Sequence, residues 1–145
     1  MRRVLLLAMT TLALGGTLAA ACDSDGTRKV VVSQRVCGNI PFLRVNLGET
    51  SRIVLDNTDH SDDQAGMSLT MQDFPVEIVG EVPEGSSIGP SRATILLSAQ
   101  PGNESDVEVR PLFTGIYRAS CKVTVRDESG LRIIDYPLDF QLTSG

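Results

Sequence analysis

The chain has 145 residues, a formal net charge of −5, 41% hydrophobic and 21% charged residues, with 13 Gly and 7 Pro, which is the size of one compact domain. An acidic chain with 4 Phe, 2 Tyr and no Trp lacks the positive field and the stacking platforms that bind nucleic acid. With a single His and no dense group of acid and base side chains, most hydrolytic chemistry has no proton shuttle; no catalytic residue is assigned and the chain is read as a non-enzyme.

The N-terminal segment reads as an address. Met1-Arg2-Arg3 forms a positive start, Val4 to Leu14 an apolar run, and small residues precede Cys22, the order of a secretory signal peptide over residues 1–21. Gly15-Gly16 interrupt the apolar run, which favours cleavage over an uncleaved membrane helix. Leu18-Ala19-Ala20-Ala21-Cys22 resembles the lipobox of bacterial lipoproteins, with Leu at −4 and Ala19 at the −3 position where the family most often has Leu.

That resemblance implies that Cys22 is the lipidation site, diacylglyceryl-modified and the new N-terminus. Two or more acyl chains anchor stably where one is marginal, so membrane lipid is the expected partner, held through acylated Cys22. Asp23 beside it resembles the inner-membrane retention signal of some lipoproteins. Residues 22–28 are read as a lipidated start and short polar spacer. Without residues 1–21 the chain carries a net charge of −7 and is expected to stand off an anionic bilayer, on the extracytoplasmic face of the cell membrane.

If Cys22 carries lipid, Cys37 and Cys121 are left, an even number in an oxidising compartment, where a disulfide between them is the expectation. Closing that loop stabilises the domain by roughly 4 to 5 kcal/mol as an upper figure. The alternative is a free Cys121 acting as metal ligand or nucleophile.

Residues 29–145 read as one all-β domain. Strands are predicted over Lys29–Gln34, Phe42–Asn46, Ser51–Asn57, Met67–Gln72, Val76–Val82, Ala93–Ala99, Ser105–Pro111, Gly115–Arg126 and Leu131–Leu142, separated by Pro and Gly turns, with little room for helix. Nine short strands suggest two sheets. Alternation over Tyr117, Ala119, Cys121, Val123 and Val125 points Cys121 inward, a direction that suits a disulfide and a buried ligand equally.

The stretch Asp59 to Gly66 is the most polar part of the domain. Asp59, Asp62 and Asp63 miss the spacing of a calcium loop, and a solvated acidic loop is the plainer reading. Asn103-Glu104-Ser105 matches a glycosylation acceptor, a coincidence in a bacterial lipoprotein.

From Leu43 to Leu142 the order of features resembles the cupredoxin fold, the Greek-key β-sandwich of plastocyanin-like proteins. Two blocks carry the resemblance. Gly48 to Asp59 looks like the turn, strand and Asn-x-Asp that precede the first copper ligand, and Gly115-Ile116-Tyr117 through Cys121 looks like the approach to the ligand Cys. An immunoglobulin-like sandwich fits less well, because Tyr117 lies four residues before Cys121 and Trp is absent.

Type 1 copper needs two imidazoles and a thiolate, and one His cannot supply them. No second His and no Met follow Cys121. The resemblance therefore implies a cupredoxin-like domain without its copper site, with no cofactor and no metal residue, in which Met67, Leu69 and Met71 pack in the core. The domain is expected to be a binding or structural module, supporting an envelope protein partner. The alternative is copper handling or electron transfer by Cys121 with His60 and a Met such as Met67 or Met71. A third reading is a sensory or assembly subunit that acts through Asp59 to Asp63.

Overall fold

The computed structural model describes residues 27–39 and 42–144. The expected signal peptide, Cys22 and the spacer up to residue 26 lie outside the described residues. The elements in chain order are β1 (Arg28–Ser33), α1 (Gln34–Asn39), β2 (Phe42–Asn46), β3 (Ser51–Asp56), β4 (Gln64–Phe74), β5 (Val76–Ile78), β6 (Ser87–Gly89), β7 (Arg92–Ala99), β8 (Glu104–Pro111), β9 (Gly115–Asp127) and β10 (Gly130–Thr143).

The strands form the expected two-sheet, all-β sandwich: a four-stranded sheet in the order β1-β3-β8-β5 faces a six-stranded sheet in the order β2-β10-β9-β4-β7-β6. Most connections carry the chain from one sheet to the other, and only β6–β7 and β9–β10 are hairpins within a sheet. This crossing leaves two parallel pairs, β1 with β3 and β2 with β10, since parallel neighbours cannot be joined by a tight turn. Period-two alternation then fills the space between the sheets. Ile53 and Leu55 of β3, Leu69 of β4, Ile95 and Leu97 of β7, Val109 of β8 and Leu138 and Phe140 of β10 are all fully buried.

Four local departures from the expected elements have physical causes. Residues 34–39 form a helix where strand or loop was expected: Ser33 ends β1 and its Oγ accepts the Val36 N–H (3.3 Å), a capping contact that starts α1, while Asn39 Nδ2 donates to Arg35 O (3.0 Å) at its end. The strand expected over Val76–Val82 stops at Ile78, because Gly80 at φ 91° turns the chain away and Pro83 lacks a donor. The three exposed residues of β6 carry no alternation from which a strand is legible. Finally, β4 starts at Gln64, inside the stretch read as loop, where Arg126 N–H donates to Asp63 O (2.6 Å) and draws the chain onto β9.

The sandwich has two distinct ends. One is formed by the β3–β4 connection, the turn between β7 and β8 and the β9–β10 hairpin tip. The other gathers the start of β1, the β2–β3 turn and the β8–β9 loop: Arg28 is level with Ser51, Ser51 with Val109, and the loop N–H groups of Leu47 and Gly48 donate to Thr143 O (2.7 Å) and Pro111 O (3.1 Å).

Candidate functional site

Cys121 is the residue on which the competing readings turn. It lies mid-strand in β9, fully buried, opposite Leu69 of β4 on one side and Tyr136 of β10 on the other. Its Sγ is bonded to Cys37 of α1, with the two Cα atoms 6.1 Å apart. The helix exists because Ser33 caps it, and the helix in turn carries Cys37 down onto the six-stranded sheet. A sulfur in this bond has no thiolate lone pair to offer a metal, so in the oxidised protein Cys121 is a structural residue.

Of the other members of the alternative copper set, the two Met lie on the same inward face, on the diagonals beside Cys121, while the His does not join them. Met67 and Met71 flank Leu69 on the inward face of β4, both buried, with Val123, Ala99 and Ile95 as their cross-strand neighbours. Their thioethers fill core volume. His60 sits in the exposed β3–β4 connection, its Nδ1 3.1 Å from its neighbour's carbonyl, Ser61 O. Among the described residues no group of three or more His, Cys, Asp or Glu side chains is arranged to hold a metal ion.

The Asn of the first cupredoxin-resembling block has a clear local role. Asn57 is fully buried; its Nδ2 donates to Ala99 O (3.0 Å), its N–H donates to Asn103 O (3.0 Å), and its own carbonyl accepts the Gly102 N–H (2.8 Å). One side chain and two backbone groups thus clamp the end of β3 to the turn between β7 and β8. Just before it, Asp56 Oδ1 accepts from Thr58 N (2.9 Å) and Thr58 Oγ1 (2.6 Å), and these donors hold the Asp56 carboxyl below its ordinary value. The acidic residues Asp59, Asp62 and Asp63 are exposed on the same connection.

The Gly of the second block is equally specific. Gly115 starts β9 at φ 150°, and a Cβ there would sit 3.0 Å from Tyr117 Cε2. Its bare Cα gives the Tyr117 ring room to meet Phe74 edge-on, centroids 6.1 Å apart, and Phe74 in turn packs on Phe140 at 5.5 Å.

A surface feature that the sequence reading passed over is an open cleft of about 840 Å³ between the β5–β6 connection and β8. Its walls include Glu81, Glu84 and Glu104. Arg52 partly neutralises one side, reaching Glu108 at 2.7 Å and Asp106 at 3.4 Å. The signal was present as the alternation of Glu104, Asp106 and Glu108 along one strand face. What it lacked was the path of the loop from Val79 to Gly85, which no periodicity encodes.

The fold and the covalent clasp define a disulfide-bonded all-β sandwich in which Cys121 is committed to Cys37. No protein-family model matches the chain, and no curated protein matches it. Among solved structures, a crystal structure of a multicopper oxidase aligns at 18% identity and a TM-score of 0.36, covering 70% of this chain and 32% of that one. The chain thus spans about a third of that oxidase's length. The solution structure of amebosin aligns at 16% identity and a TM-score of 0.27, covering 78% of this chain and 96% of that one. Neither similarity is large enough to assign the chain to a family.

Proposed function

We propose that the chain is an extracytoplasmic lipoprotein, held to the cell membrane through acylated Cys22, whose cupredoxin-like sandwich acts as a non-enzymatic binding or structural module without type 1 copper. The observation that carries this reading is the bond between Cys37 and Cys121, which removes the one thiolate on which a copper centre could be built. The single His points the same way, since His60 is exposed on a connection while Met67 and Met71 are enclosed in the core. The anchor rests on Leu18 to Cys22 and on the polar spacer that follows. Its partners are membrane lipid and an envelope protein.

The reading is tested by fractionating cells that express the full chain or its Cys22→Ser variant. The parent chain is expected in the membrane fraction, extracted by detergent and not by salt, while the variant loses that retention. Equal membrane retention of the two, or tight copper binding or turnover by the purified oxidised protein, would contradict it.

A further inference from the structure

The two ends of the sandwich differ in chemistry, and the difference is aligned with the N-terminus. The end built from the β3–β4 connection and the β9–β10 tip carries Asp59, Asp62, Asp63, Glu104, Asp127 and Glu128, around the exposed Leu131 and Ile133. The opposite end has fewer carboxylates, with Glu49 and Asp73 exposed, and carries an exposed apolar group on the β8–β9 loop and the start of β9: Leu112 is 37% exposed, Phe113 52% and Ile116 68%. The loop is held in place, since Leu112 N–H donates to Pro75 O (3.0 Å). An aromatic ring half in water at a loop tip costs hydration free energy that a partner surface removes.

The path of the chain selects that surface. Arg28 starts β1 level with Val109 through Ser51, so β1 begins at the same end of the sandwich as the β8–β9 loop. Six residue steps separate Cys22 from Arg28, a reach of about 20 Å at most when fully extended. An acyl-bearing Cys22 therefore keeps this end within about 20 Å of the lipid, while the carboxylates of the far end are turned away from anionic headgroups. Resting on the lipoprotein reading above, and in place of the stand-off that net charge alone suggests, we infer that Leu112, Phe113 and Ile116 form a second membrane contact, seating the domain end-on against the bilayer with Phe113 in the headgroup–acyl boundary. The occupant of this apolar end is the lipid surface itself.

Because the chain has no Trp, a single introduced indole reports its own surroundings. The acylated full-length protein, extracted from membranes as Phe113→Trp and separately as Ile133→Trp, is reconstituted into phosphatidylcholine–phosphatidylglycerol vesicles with and without brominated acyl chains. Ile133 is a matched control, 63% exposed and close to the opposite tip. Flotation with the vesicles reads the anchor independently of either indole. The inference expects both variants to float, and brominated lipid to quench the indole at 113 by roughly half, as for a side chain about 5–10 Å into the boundary, with the indole at 133 unaffected. Flotation with equal, weak quenching at both positions would overturn the end-on contact and leave the anchor standing. Failure of both variants to float would overturn the anchor and the contact together.

Discussion

Cys121 and Cys37 join a fully buried position in the middle of β9 to a helix that belongs to neither sheet. The bond ties the connection between the two sheets to the centre of the larger one. With a sequence separation of 84, it removes a large loop-closure entropy from the unfolded chain, roughly 4 to 5 kcal/mol as an upper figure. Cys37→Ala and reduction of the parent protein are expected to lower stability by a similar amount, about 2–5 kcal/mol, in guanidinium unfolding. Cys121→Ala should cost somewhat more, because it also empties core volume beside Leu69 and Tyr136. If reduction leaves the unfolding midpoint unchanged, the bond is not a stabilising element.

Asn57 clamps β3 to the turn between β7 and β8. Asn57→Ala leaves Ala99 O without its donor and should destabilise by about 1–3 kcal/mol. Asn57→Asp keeps the shape but presents a carboxylate oxygen to that carbonyl, and is expected to cost more than the Ala variant. Denaturant unfolding of the two variants, with amide exchange at position 57 and at Gly102, checks both size and location.

Gly115 is the glycine whose missing side chain is used twice, once for its φ of 150° and once for the space taken by Tyr117. Gly115→Ala should cost about 1–3 kcal/mol in denaturant unfolding, for combined backbone strain and displacement of the ring. Gly48→Ala is the comparison: its φ of 74° is also positive, but nothing lies within 4 Å of the added Cβ. Its penalty is expected to be smaller, and equal penalties would contradict both the extra strain at φ 150° and the cost of the ring contact.

The Asp56–Thr58 contacts make stability depend on acid. With its folded value held below 3.8, Asp56 binds its proton less readily in the folded chain than in the unfolded one. Its contribution is therefore fully present above the unfolded value and is lost as pH falls through the folded value. The stability difference between the parent and Asp56→Asn should be flat above about pH 5 and narrow below about pH 4. A difference that is constant down to the acid limit would show that the carboxylate charge is not what Thr58 stabilises.

What the sequence disclosed follows from the kind of interaction involved. Strands such as β7, β8 and β9 are legible because one face of each is buried, so Leu97, Val107 and Cys121 impose a period of two on their neighbours. The Cys37–Cys121 pairing is legible from counting cysteines, given an oxidising compartment and a Cys22 taken up by lipid. The helix at residues 34–39 is not, although Ser33 as its cap was the available signal: six residues with one buried side chain generate no helical period. The same holds for β6 and for the loop from Val79 to Gly85, whose positions depend on contacts with distant strands. At the candidate site, one His shows by count that type 1 copper lacks its ligands, and the alternation of Met67, Leu69 and Met71 already reads as core packing, which their burial bears out; the structure adds that His60 is exposed.

The central claim is that Cys22 carries lipid and that Cys121 is committed to Cys37. Peptide mass spectrometry of the membrane-extracted protein, alkylated without prior reduction, measures both in one experiment. The account predicts an acylated N-terminal Cys22 and a linked pair of peptides containing Cys37 and Cys121. An alkylated Cys121, an unmodified Cys22 or a retained copper mass would contradict it.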